Sequence, residues 1–193
     1  TIQAARTVQA LRPSGGWRDQ DLGAFEAMFH LPLENWAEVE RLLGEVIDED
    51  HGLAQLVRAN MLLRQKQAAP AEKILSQLLR CYPHGLASEP TMEVRVLLAL
   101  ALFEQPKLNL ARQTMAEAVR LAAPERFIRP FLNTGTSLIP LLALLLHTET
   151  LSTESQEFIR QILQLLGRPE QTADWLPQEK LASLKTAASV TER

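Results

Sequence analysis

The chain has one cysteine, one tyrosine and no alternating run of β-branched residues. A lone thiol, Cys81, cannot close an intrachain disulfide, which sets aside the disulfide-stapled secreted folds. Without alternation there is no period-two signal for a half-buried strand. No Gly-Lys pair occurs, so there is no P-loop, and G-x-G-x-x-G, H-E-x-x-H and G-x-S-x-G are absent as well. Lysines and arginines never cluster, which leaves no phosphate-tracking surface for nucleic acid. Long apolar runs are scarce. The best, Leu138 to Leu146, is short, contains Pro140 and stops at His147, so it suits a buried core helix better than a membrane span. Thr1 rather than Met opens the chain and no basic-then-apolar leader follows. The reading is an excised piece of a cytosolic protein.

What remains is helix. Ala, Leu, Glu, Gln and Arg dominate, and 193 residues at 46% hydrophobic content suffice to bury a core. The expected class is all-α. Charge is uneven: Arg18 to Asp50 holds ten acids and two bases, a net of −8, against +2 before it and +3 after it. A solvated helix face accounts for that block, and a docking surface for a basic neighbouring domain is the sharper account.

Taken in order, Ile2, Ala5, Val8 and Leu11 fit a helix over residues 2–12, and Pro13-Ser14-Gly15-Gly16 breaks it. Asp21 can cap a helix carrying Leu22, Phe25, Met28 and Phe29 that Pro32 ends. Glu34 or Asn35 opens another with Trp36, Val39, Leu42, Leu43 and Val46 on one stripe, and Gly52 finishes the following turn. From there a repeat emerges. Ala59, Leu62, Leu63, Ala71, Leu75 and Leu78 align with Ala99, Leu102, Phe103, Ala111, Met115 and Ala118 at a constant offset of 40 residues. The spacing is that of tetratricopeptide units, in which small residues let two antiparallel helices approach closely. One hairpin is expected at 53–67 with 70–82, Pro70 at its second helix start. The next is expected at 90–104 with 109–122, Asn109 as N-cap. Such hairpins build a short superhelix, an α-solenoid, over residues 1–167.

Between two helical stretches lies Leu121-Ala122-Ala123-Pro124-Glu125-Arg126-Phe127-Ile128-Arg129-Pro130-Phe131-Leu132-Asn133-Thr134-Gly135. Phe127 and Phe131, and Ile128 and Leu132, are four apart and would share one apolar face of a short wedge. Pro124 suits its first turn, Pro130 kinks or shortens it, and Asn133-Thr134-Gly135 stops it. Ser137 can then cap a helix to His147. Thr153 and Gln156 form a capping-box pattern before a helix through Phe158, Ile159, Ile162, Leu163, Leu165 and Leu166 to Gly167. Residues 168–193 read as a polar linker.

The stretch from Leu121 to Gly135 resembles the "LA-x-PEG-[FY]-[VI]-RPFLDEG" segment of the large ATP-dependent LuxR-family, MalT-like transcriptional regulators. In this chain Arg126 stands where that family has Gly, and Asn133-Thr134 where it has Asp-Glu. The closing Val190-Thr191-Glu192-Arg193 resembles the "LTxRE" opening of the family's helix-turn-helix domain. The resemblance implies a bacterial, cytoplasmic helical-repeat region between an upstream ATPase and a downstream DNA-binding domain, with residues 168–193 leading toward the latter. It further implies a role in signal transduction: sensing a small-molecule inducer and contacting the neighbouring domains, without catalysis, cofactor, metal, membrane or nucleic-acid contact of its own. In it Phe127, Ile128, Arg129, Pro130, Phe131 and Leu132 carry the signature and serve packing.

By tetratricopeptide register the concave wall is lined by Leu56, Asn60, Leu63 and Arg64, then Glu93, Val96, Leu100, Phe103 and Glu104. Asn60, Arg64, Glu93, Phe103 and Glu104 are the candidates for touching a ligand or partner. Plain solvation of the polar ones is the alternative. Cys81 with His84, and His147 with Glu149, are the nearest approaches to reactive pairs, and neither has a third partner. A rival reading is a protein-interaction scaffold whose groove holds a partner peptide or a second copy.

Overall fold

The computed structural model describes residues 19–44, 52–81, 89–148 and 150–167. All regular structure among them is helical. The chain divides into two compact units, Thr1–Cys81 and Tyr82–Arg193. The expected helix over residues 2–12, the break at Pro13–Gly16, Val46, His84, Glu149 and the linker 168–193 lie outside the described residues.

In the first unit, α1 (Asp19–His30) and α2 (Trp36–Gly44) form one hairpin, and α3 (Gly52–Arg64) and α4 (Ala68–Cys81) another. Helix α1 packs on both α2 and α3. The core between them is Ala24, Ala27, Leu31, Val39, Leu42, Leu43, Ala54, Val57 and Met61, with Met28, Trp36 and Leu53 at its margin. Small residues set the spacing. Ala24, Ala27, Ala59 and Ala71 are fully buried, so neighbouring backbones come close. Gly52 starts α3 rather than finishing the turn before it.

In the second unit, α5 (Glu89–Phe103) and α6 (Leu108–Glu125) form a third hairpin. It is followed by α7 (Arg129–Thr134), a 3-10 turn (Gly135–Leu138), α8 (Ile139–Thr148) and α9 (Thr153–Leu165). Helix α7 packs on α5, whereas α8 and α9 pack on α6 and on each other. Every residue of α5 from Val94 to Phe103 is buried and all but Arg95 are apolar, so this stretch lies inside the unit. The helical run Arg129–Thr148 is long and apolar enough by length and composition to cross a membrane, against the expectation that no span reaches that length. It is not one rod. The 3-10 turn divides it, and Leu138, Ile139 and Leu141 through Leu145 are buried in the unit.

Both repeat hairpins fall within a few residues of where the 40-residue offset puts them, and Ala59, Ala99, Ala71, Ala111, Leu75 and Met115 are all fully buried. Helix starts differ more. Asn109 is the second residue of α6, preceded by Lys107, whose side chain makes no capping bond. The last helix is capped by Ser152, not Thr153: the Ser152 hydroxyl accepts from the Ser155 N–H at 3.2 Å. Ser137 lies inside the 3-10 turn.

The wedge is also built differently. Pro124 belongs to the last turn of α6, not to the first turn of a new piece. The helix closes one residue past it, where the carbonyls of Ala122 and Ala123 are taken by the N–H groups of Phe127 (3.1 Å) and Arg126 (3.2 Å). That pair of bonds is a Schellman closure with Arg126 in the left-handed region at φ 56°. Pro130 is the proline that occupies a first helical turn, in α7, where its missing N–H costs nothing. Arg129 is the first residue of that helix. Phe127 and Ile128 precede α7, so the four apolar residues do not share one helical face: Phe131 is fully buried while Phe127, Ile128 and Leu132 are half-buried. Phe131 meets Phe158 of α9 edge-to-face, centroids 5.4 Å apart. Gly135 then ends α7 at φ 78°, ψ −157°, a conformation open to glycine alone.

Candidate functional site

The expected lining residues divide between the units. Asn60 and Arg64 are on α3 of the first; Glu93, Phe103 and Glu104 are on α5 and the turn after it in the second.

On α3, Leu56 and Leu63 are buried, and Asn60 and Arg64 stand one turn apart, half-buried. The Arg64 Nε donates to the Asn60 Oδ1 at 3.3 Å. A neutral amide does not itself balance the guanidinium charge, and the bond holds the side chain along its own helix. Such a pair offers the remaining guanidinium N–H groups to an acceptor, a carboxylate or sugar hydroxyl being the best matches.

In the second unit Glu93 is half-buried and Glu104 exposed. Phe103 is only 4% exposed, a core residue of α5, so it has no face to present to a ligand. Val96 and Leu100 are buried likewise.

Sequence reasoning passed over Arg95. It lies in the middle of apolar α5 and is 2% exposed. Its Nη1 is 3.2 Å from the Glu117 Oε1 on α6, a carboxylate that keeps 42% of its side-chain surface in water. The Arg95 Nε has no hydrogen-bond partner. Thr91, one turn earlier on α5, is also buried. A buried guanidinium tied to one half-solvated acid is costly to keep. The visible signal in the sequence was a single charge, second in the otherwise apolar run from Val94 to Phe103.

No group of three or more His, Cys, Asp and Glu side chains among the described residues has metal-holding geometry. Cys81 is exposed at the end of α4, with its Sγ 3.5 Å from the Gln77 carbonyl.

Comparison with protein-family models, with curated proteins and with solved structures returned no match.

Proposed function

We propose that this chain is the sensor and regulatory helical-repeat segment of a bacterial, cytoplasmic transcriptional regulator of the LuxR, MalT-like kind. Its tetratricopeptide-like hairpins would continue into a short superhelix, contributing to inducer recognition and to contacts with an upstream ATPase and a downstream helix-turn-helix domain. The chemistry of ATP hydrolysis and the reading of DNA belong to those neighbours. One observation carries the reading. At Arg126, where the resembling segment has Gly, the backbone sits at φ 56°, the conformation that favours glycine. The likeness at Leu121–Gly135 therefore extends from letters to a backbone requirement. The two hairpins at a 40-residue stride add to it.

Within this reading Asn60 and Arg64 are the contact pair for a polar inducer, which acts by favouring one arrangement of the repeats over another. The test is a thermal-shift screen of small sugars, amino acids and aromatic acids. A ligand at a hundred times its Kd adds about 2.7 kcal/mol, or roughly 5–10 °C for a chain of this size. Arg64→Ala should abolish the shift without lowering the unliganded Tm. A flat screen, together with complex formation on adding the ATPase region, would leave the scaffold reading in its place.

A further inference from the structure

A helix buried on every side has no single face to present, so apolar burial alone sets its rotation and height against a neighbour only loosely. Helix α5 is in that position from Val96 to Phe103, where every residue is apolar and buried. The α6 surface repeats as well. Ala111, Met115, Ala118 and Ala122 follow one another at steps of four, three and four residues, and all are fully buried. Shifting α5 by one turn, about 5.4 Å, would again lay small and apolar residues against small and apolar residues.

Arg95 removes that freedom. In the observed register its Nη1 meets the Glu117 Oε1 at 3.2 Å, and the half-solvated carboxylate links the enclosed charge to water. Helix α6 has one other acid, Glu125, two turns further on at its last residue. One turn before Glu117 stand Gln113 and Thr114, and one turn after it stand Arg120 and Leu121. A slip in one direction therefore sets Arg95 against neutral groups, and in the other against a like charge. Helix α7, which also packs on α5, carries no acid. An enclosed guanidinium that loses its carboxylate is strongly unfavourable, whereas the apolar contacts carry no comparable preference for one register.

We infer that Arg95 is a positioning residue: paired with Glu117, it fixes the rotation and register of α5 against α6, at a cost in stability. A single buried polar side chain sets the register of a helical coil in the same way. Because α7 is seated on α5, and α8 and α9 on α6, the one pairing also decides how those later helices meet. The inference concerns the second unit alone, so failure of the inducer screen does not touch it.

The experiment uses the full 193-residue chain, labelled at its Val and Leu methyl groups and read by NMR. Wild type should give one resonance for each α5 methyl. Arg95→Met should melt at or above the wild-type temperature, yet show split or broadened α5 methyl signals and raised ANS fluorescence, the marks of packing that is no longer unique. Arg95→Lys keeps the charge within reach of Glu117 and should keep the single set. One sharp set in Arg95→Met, with the wild-type α5–α6 methyl NOEs, overturns the proposal, because packing then sets the register without the charge. Splitting in Arg95→Lys as severe as in the methionine variant overturns it too, since the shape of arginine and not its charge would then matter. If Arg95→Met loses its helical circular dichroism, Glu117→Gln carries the same test: with a neutral group at 117 as at 113, split signals support the proposal and one sharp set overturns it.

Discussion

Replacing Arg126 by glycine isolates one backbone dihedral. At φ 56° an L-residue bears about 1–2 kcal/mol that glycine does not. Glycine in turn gives up about 0.5–1 kcal/mol more conformational entropy on folding. The difference leaves about 0.5–1 kcal/mol in favour of Gly over Ala at this position. Arginine adds a further contact: its Nη1 donates to the Gln161 Oε1 of α9 at 3.1 Å, an exposed bond. Exchanged against water, such a bond is worth about 0.5 kcal/mol, the low end for its type. Arg126→Ala, which loses the bond and keeps the strain, should therefore be less stable than wild type by about 0.5 kcal/mol. Arg126→Gly should equal or exceed wild type. The assay is equilibrium urea denaturation by circular dichroism, with calorimetric Tm as the second measure; at about 2–4 °C per kcal/mol the Gly and Ala variants should differ by roughly 1–4 °C. An alanine variant as stable as the glycine one would refute the assignment of a left-handed closure at this turn.

Two more perturbations probe the second unit. Phe131→Ala removes a fully buried ring from between α7 and α9 and should cost about 3–5 kcal/mol, seen as a lowered urea midpoint with the same slope. Glu117→Ala strips the buried Arg95 of its carboxylate and should cost roughly 1–3 kcal/mol, less than for a fully buried pair because that acid is half in water. Arg95→Met, which removes the burden, should be close to neutral or stabilising in the same denaturation experiment.

The hairpins were legible because two periodicities coincide in them. The 3.6-residue apolar stripe gave the helices, and the recurrence of Ala59 and Ala71 as Ala99 and Ala111 gave their pairing, since close helix contact needs a small residue at a fixed place. The ends were less legible. Pro124 and Pro130 are equal candidates for a first helical turn when only local preference is weighed. The choice fell to the carbonyls of Ala122 and Ala123, which find their N–H partners only if Arg126 turns left-handed. Nothing in an arginine announces that. The same closure recurs at Glu34 and Lys66, again with φ of 53° and 62° on residues other than glycine. At each, the N–H of residues 34 and 35 reaches Leu31 and His30, and that of 66 and 67 reaches Leu63 and Leu62. Three of the helix ends thus hide the one letter by which such ends are normally read.

The candidate site follows a similar logic. Asn60 and Arg64 were placed on the inward face by tetratricopeptide register, and they form a bonded, half-buried pair. Phe103 was chosen by the same register, and register does not say how many sides of a helix are covered. In α5 every residue from Val94 to Phe103 is buried, so the Phe103 ring is interior, as Leu63 is in the first unit. That complete burial is also what makes Arg95 informative. A charge that the fold encloses and only half neutralises is a stability cost with no packing return, since methionine would fill the same volume. If Arg95→Met raises the Tm yet weakens a response that Arg64→Ala also weakens, the charge is retained for switching, and the two units share a function. If Arg95→Met changes neither stability nor response, the charge serves neither, and the sensing reading must stand on α3 alone.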